Sequence, residues 1–248
     1  MSTLTVDAII LQAFPYSETS KILRLLTPTH GVRSVMARGA QRARSRFGGV
    51  LDPFTEGTAI LQLKDGRDLQ TLTAFELTRA HRRLSTELLR LSGASLLSEI
   101  VLRTASEEAQ PLLYARVGGA LDRLEDAPPD TLEALILAEA WALVGLLGFE
   151  PELLACVRCA EALADDAGGA FDYGAGGVRC ESCAPGGAGP RLPARARRDL
   201  LRLCAGEPVA LRETAGHWTL LGRFLDYHVL SGGELRSLPF ITDTLQRG

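Results

Sequence analysis

Leu4-Thr-Val-Asp-Ala-Ile-Ile-Leu-Gln-Ala-Phe14 is an apolar, partly alternating run near the start of the chain. A run of this kind predicts a β-strand. Ser20-Lys-Ile-Leu-Arg-Leu-Leu-Thr27 predicts a second, followed by the turn signal Pro28-Thr-His-Gly31, and Val32-Arg-Ser-Val-Met-Ala37 a third. Thr58-Ala-Ile-Leu-Gln-Leu63 and Asp68-Leu-Gln-Thr-Leu-Thr-Ala74 flank Lys64-Asp-Gly-Arg67. An Asp-Gly centre between apolar runs is a hairpin signal. Five short strands in so short a span predict a small barrel or sandwich.

The period changes from about Glu76. Leu84, Leu88, Leu91, Leu96 and Leu97 fall at helical spacing in a segment that continues to Arg103. Residues 111–124 predict another helix, and Pro128 and Pro129 separate it from a third that Thr131 opens with a weak cap. Residues 193–204 and 218–230 resume helical spacing, and the residues from Ser231 read as a short tail. Apolar faces of this kind must pack together, which predicts a helical bundle. The longest apolar stretch, residues 134–149, is interrupted by Glu139 and is shorter than the roughly 20 residues of a membrane span. It reads as a buried helix. The first residues carry no charged leader and no apolar signal core. The expectation is therefore a cytoplasmic protein with no membrane partner.

Residues 151–190 differ from the rest. They are rich in glycine and hold four of the five cysteines. Cys156-Val-Arg-Cys159 and Cys180-Glu-Ser-Cys183 are two C-x-x-C pairs separated by 20 residues, within the zinc-ribbon range. Two intervening residues let both thiolates of a pair turn toward one tetrahedral ion. Gly174, Gly176 and Gly177 permit the tight turns this needs. A reducing compartment favours metal over disulfide. The expectation is one structural Zn²⁺, closed by four thiolates and without an open catalytic position. Two redox pairs, or packing cysteines without metal, are the alternatives; neither pair precedes a helix in a strand–helix setting. Cys204 reads as a small packing thiol.

The net charge is −3, so contact with a polyanion needs a local patch. Of the 27 basic residues only Lys21 and Lys64 are lysines. The arginine excess reads first as the compositional bias of a GC-rich genome, but the forked guanidinium suits phosphate whatever its origin. Residues 32–50 contain no acid and carry Arg33, Arg38, Arg42, Arg44 and Arg46 among glycines. Residues 39–49 within it read as a flexible positive loop that follows a phosphate backbone, or else as a solvated loop. Phe47 and Phe54 stand near enough to offer base stacking, although Phe54 after Pro53 also fits a core. Two further clusters are Arg79, His81, Arg82 and Arg83, and Arg191, Arg195, Arg197 and Arg198. Each is either a solvated face or part of a shared DNA track. No phosphate loop, G-x-S-x-G elbow, paired metal histidines or compact carboxylate set occurs. His30, His81, His217 and His228 are scattered and read as surface or packing residues. These absences predict a protein that is not an enzyme. A plain interaction scaffold is the rival expectation, and a zinc hydrolase is disfavoured by the four-thiolate ligand set.

Tyr16-Ser-Glu-Thr-Ser20, Leu26-Thr27 with Gly31, Ala37-Arg-Gly-Ala40 and Gly49-Val-Leu-Asp-Pro-Phe54 together resemble the N-terminal signature of the RecO DNA-repair family. Leu146-Leu-Gly-Phe149-Glu-Pro151, the cysteine pairs and the element 220–236 with Tyr227-His228 are similar to that family too. The resemblance implies an α+β multidomain chain: an N-terminal OB-type β-barrel, then a helical bundle carrying a C4 zinc module. The expected plan is a barrel over 1–79, helices over 80–150, a zinc excursion over 151–190 and closing helices over 191–248. The implied role is non-enzymatic: binding single- and double-stranded DNA, annealing complementary strands, and working with RecR to load RecA onto DNA coated with single-strand-binding protein. The implied location is the bacterial cytoplasm, associated with the nucleoid.

Overall fold

In the computed structural model the chain is described at residues 2–64, 66–104, 106–184, 189–211, 213–230 and 235–247. Contacts divide it into two compact units, Met1–Asp126 and Ala127–Gly248. That division falls inside the expected helical segment 80–150.

The first unit is built on five strands: β1 (Ser2–Pro15), β2 (Lys21–Thr27), β3 (Gly31–Ala37), β4 (Glu56–Leu63) and β5 (Leu69–Arg79). They close a barrel in the order β1-β2-β3-β5-β4. All pairings are antiparallel except β3 with β5. Alternation decides the core: Val6, Ala8, Ile10, Leu23, Leu25, Val35, Ala59, Leu61 and Leu72 fill the barrel. The turn between β4 and β5 includes Asp65, which lies outside the described residues. Gly57 is required by a close approach: a Cβ there would meet the Glu76 carbonyl oxygen at 2.3 Å.

The helical reading from Glu76 needs correction. The strand β5 persists to Arg79, because Leu77 and Glu76 still pair with Gly57 and Thr58. A 3-10 turn at Arg82–Ser85 follows, and α1 is Leu88–Thr104. Leu88 is exposed, while Leu96 and Leu97 are buried. The helix α2 is Pro111–Asp126. Arg90 is buried on α1 and donates to the carbonyl oxygens of Leu124 and Glu125, tying α1 to the end of α2.

The second unit begins with α3 (Pro129–Leu146). Proline at the first helical position starts it, so Thr131 lies within the first turn. Trp141 of α3 packs on Phe224 with ring centroids 5.2 Å apart, and Phe171 approaches the same ring at 6.1 Å. A small sheet follows, with β6 (Gly169–Asp172) between β7 (Gly177–Arg179) and β8 (Arg191–Leu192). Then come α4 (Ala194–Cys204) and α5 (Ala215–His228). The expected tail is instead a helix, α6 (Ser237–Arg247), with Ile241 fully buried. Its spacing, Leu238, Ile241 and Leu245, is amphipathic but short. Residues 231–234 before it lie outside the described residues.

Candidate nucleic-acid interface and metal centre

The arginine loop starts where β3 ends and returns to β4. Its turns are closed by hydrogen bonds from Arg42 N to the Gly39 oxygen (3.2 Å) and from Gly48 N to the Ser45 oxygen (3.2 Å). Phe47 and Leu51 are almost wholly buried and belong to the barrel core. The loop is therefore anchored, which corrects the freely projecting loop read from its glycines. It also removes Phe47 as a stacking surface: its ring plugs the barrel. Phe54 is buried as well.

Anchoring leaves the arginines outside. Arg38, Arg42, Arg44 and Arg46 are all exposed. Among the described residues none of the four has a carboxylate within ion-pair distance. Arg46 donates to the Leu72 oxygen at 3.3 Å and lies 4.9 Å from the Phe47 ring centroid. The other three carry uncompensated charge in solvent.

The remaining basic residues differ. Arg33 is paired with Glu107. Arg79 meets Asp122 at 2.6 Å, and Arg83 meets Asp126 at 3.3 Å. Arg195 lies 3.7 Å from Asp199 one helical turn on. Arg82 and Arg198 are exposed, and Arg198 donates to the Asp165 oxygen at 3.0 Å. Exposed pairs of this kind are weak and open readily to a competing anion.

Arg197 must be corrected outright. It is 1% exposed. Its guanidinium donates to three carbonyl oxygens of the glycine-rich excursion: Ala167 at 3.0 Å, Leu153 at 2.8 Å, and Ala164. No nucleic acid can reach it. It is the pin that fixes the excursion to α4.

That excursion carries the cysteines. Glu152 pairs with Gly177 and Ala155 with Ala162 in single bridges, which fold the first pair back toward the second. Gly176 adopts φ +70°, and a Cβ on Gly177 would meet the Glu152 oxygen at 2.4 Å. The sulfurs of Cys156, Cys159, Cys180 and Cys183 all lie within 4.8 Å of one another. Cys159 and Cys180 are 3.9 Å apart. Four sulfurs about 2.3 Å from one tetrahedral ion would sit roughly 3.8 Å apart. The amides of Cys180 (3.3 Å) and Arg158 (3.5 Å) point at the Cys156 sulfur. Burial pushes the Cys156 thiol up, but backbone amides of Cys159, Cys180 and Arg158 outweigh it and bring it down to about 6. The donor set and its spacing fit one soft divalent cation. Cys204 stands apart on α4, and burial pushes its thiol up to about 12.

One cluster has no signal in the sequence. His81 sits in the left-handed region at φ 33° with its side chain fully buried. Its Nε2 meets Glu56 of β4 at 2.7 Å, and its Nδ1 meets Glu125 of α2 at 3.0 Å. Asp122 lies 3.7 Å away, and Arg79 crosses the same acids. Burial alone would favour the neutral ring. The hydrogen bond and charge of Glu56, then those of Glu125, outweigh it and raise the His81 pKa above its ordinary value. Two carboxylate acceptors favour the ring form that carries a proton on both nitrogens. Glu56, His81 and Asp122 are also close enough to share a metal ion. Here Arg79, joined by His81 when it is protonated, already sets positive charge against these acids. The partners are 25 and 44 residues from His81, so no local pattern announces them.

This geometry defines a mixed α+β chain, a barrel edged by unpaired arginines and a helical unit built round a four-cysteine cluster. The family model for the N-terminal part of recombination protein O matches residues 1–81, and that for its C-terminal part matches residues 85–239. Among curated relatives, a DNA repair protein RecO from Anaeromyxobacter sp. (strain Fw109-5) is 35% identical, covering 97% of this chain and 96% of the relative. The protein of that name from Nocardioides sp. (strain ATCC BAA-499 / JS614) is 32% identical over 95% and 97%. That from Symbiobacterium thermophilum is 34% identical over 84% and 82%. The chain belongs to the recombination protein O family. No helix among the described residues is long and apolar enough to cross a membrane.

Proposed function

We propose that this chain serves recombinational DNA repair by binding DNA rather than by catalysis. In this reading the barrel is of the oligonucleotide-binding type, and its arginine loop holds the backbone of one strand. Arg38, Arg42 and Arg44 make the primary contact, with Arg46 beside them. Arg33, Arg79, Arg82 and Arg83 on the first unit, and Arg195 and Arg198 on the second, hold further phosphates once their weak pairs exchange partners. Arg197 is excluded by its burial. Two polyanions held by one protein lose much of their mutual repulsion, which is how such a surface anneals complementary strands. RecR, single-strand-binding protein and, indirectly, RecA are the partners this role requires. One structural zinc on Cys156, Cys159, Cys180 and Cys183 cross-links a segment that has little core of its own.

The observation that carries the reading is the absence, among the described residues, of any carboxylate beside four exposed arginines in a chain of net charge −3. Each phosphate neutralised on a single strand contributes about −0.7 to the slope of log affinity against log salt. Arg42→Glu with Arg44→Glu should weaken binding at least tenfold at low salt and flatten that slope by about 1.4. Fluorescence anisotropy with a labelled oligonucleotide measures both. Unchanged affinity at low salt rejects the loop as the contact.

A further inference from the structure

Burying Phe47 takes away the aromatic that the sequence offered for base stacking, yet the same end of the barrel presents others. Phe14 of β1 pairs with Ile22 of β2, which pairs with Met36 of β3. Their strand neighbours Ala13, Leu23, Val35 and Ala37 line the barrel interior. By alternation the three side chains stand on the outer wall in one row. A bulge between Ile10 and Gln12 sets this phase. Before the bulge the outer position is Ile9, which is fully buried; a Cβ on Gly118 of α2 would lie 3.6 Å from its Cδ1. After the bulge the wall is open: Phe14 is 38% exposed, Ile22 and Met36 are partly exposed, and Tyr16 just beyond is 60% exposed.

The row abuts the arginine loop. Lys21 pairs with Ala37, so β2 begins where the loop departs. The β1–β2 turn is closed by Tyr16 N donating to the Ser20 oxygen at 2.9 Å. Gln41 N of the loop donates to the Thr19 oxygen of that turn at 3.0 Å. Arg24, one pair further along the same wall beside Gln12 and Ser34, has a buried Nε without an acceptor among the described residues. Flat apolar surface and uncompensated cations therefore adjoin. A ligand that satisfies both must expose flat apolar faces beside a regular line of anions. A single strand does so; a duplex keeps its base faces stacked inside.

The geometry points to this wall as a base-stacking platform for single-stranded nucleic acid, with Tyr16 the principal stacking residue and Phe14 its support. The inference rests on the DNA-binding reading above and adds to it the residues that tell strand from duplex.

The test uses the full chain, a labelled 20-nucleotide thymidine strand, a 20-base-pair duplex, and a strand of equal length with abasic sites. Stacking on one aromatic side chain corresponds to roughly 5- to 150-fold in affinity. Tyr16→Ala should lose that much on the thymidine strand with its salt slope unchanged, since no phosphate contact is removed. Duplex and abasic strand should bind as before, and Tyr16→Trp should restore strand binding. Because the side chain is exposed, melting temperature should stay put. Wild-type strand affinity in Tyr16→Ala, while the Arg42/Arg44 variant still loses binding, overturns the platform and leaves the loop contact standing. Equal losses on strand, duplex and abasic strand also overturn it, as does tight binding of an acidic peptide that Tyr16→Ala abolishes. Full binding by the arginine variant would sink the underlying reading instead.

Discussion

Replacing Arg197 by Met separates the two roles that this residue has been given. As a DNA contact, its loss would weaken binding and lower the salt slope by about one phosphate. As the pin of the cysteine-bearing excursion, its loss should leave DNA binding intact and melt the second unit early. The guanidinium makes three charge-assisted bonds, to the carbonyls of Leu153, Ala164 and Ala167. Bonds to charged groups contribute about 1.5–3 kcal/mol each. The sum overstates the effect, because methionine also removes the cost of burying a cation. What remains is chiefly three carbonyls without donors, together about 3–5 kcal/mol. For a unit of this size that is a fall in melting temperature of roughly 10–20 °C. Calorimetry is the assay of choice, since two units need not melt together. Arg197→Lys keeps the charge but loses the fork, and should be destabilised nearly as much. A melting curve within a few degrees of wild type, with reduced affinity for DNA, would return Arg197 to the nucleic-acid surface.

Two further outcomes follow from the described sites. His81 is protonated more readily in the folded chain than in the unfolded one, so folding takes up protons and stability falls as pH rises. The contribution is complete below the ordinary histidine value near 6.5 and is lost as pH climbs through the raised folded value. His81→Ala should remove this dependence and destabilise the first unit by about 3 kcal/mol, because Glu56 and Glu125 are left facing one another. Melting curves from pH 6 upward that run parallel for variant and wild type would refute it. Replacing Cys156 and Cys159 by Ser should release one zinc per chain, as read by metal analysis, and lower the melting temperature of the second unit. Zinc-binding energies at such sites reach on the order of 10 kcal/mol. Native protein purified without zinc, or a variant that retains it, would end the four-thiolate assignment.

The five strands were legible because their signals are local, whereas their closure into a barrel rather than a sandwich was not. Alternation and the Asp-Gly signal depend on residues a few positions apart, and each of the five expected runs overlaps an observed strand. The cysteine cluster was legible for the same reason: C-x-x-C spacing is set within a single turn. The limits of β5 were not, since its last residues, Leu77 included, are exposed and are held by pairing with Glu56 and Gly57 rather than by alternation. The helix α6 was missed because a Ser-Gly-Gly sequence at 231–233 reads as the start of a tail and the apolar stripe beyond it spans little more than two turns. Phe47 misled because an aromatic in a glycine- and arginine-rich stretch looks solvated; its burial depends on a barrel end that only the closed fold creates.

Basic clusters show where local reading fails in kind. Arg33 lies in the same acid-free window as Arg42, yet Glu107, 74 residues away, meets its guanidinium. Arg79 is neutralised by Asp122 and Arg83 by Asp126, both from α2. Counting acids along the chain cannot detect this, because ion pairs are set by the fold. The loop from Arg38 to Arg46 shares that acid-free window but differs in space: among the described residues none of its arginines has a carboxylate within ion-pair distance. This bears on how DNA would be met. In the DNA-binding reading these four arginines attract a polyanion to a chain whose net charge of −3 otherwise repels it. Added salt screens the attraction and the repulsion together, within a Debye length of about 8 Å at physiological ionic strength. The orienting effect should thus fade over the same salt range as the affinity, and a strand that arrives at the loop arrives beside the aromatic wall.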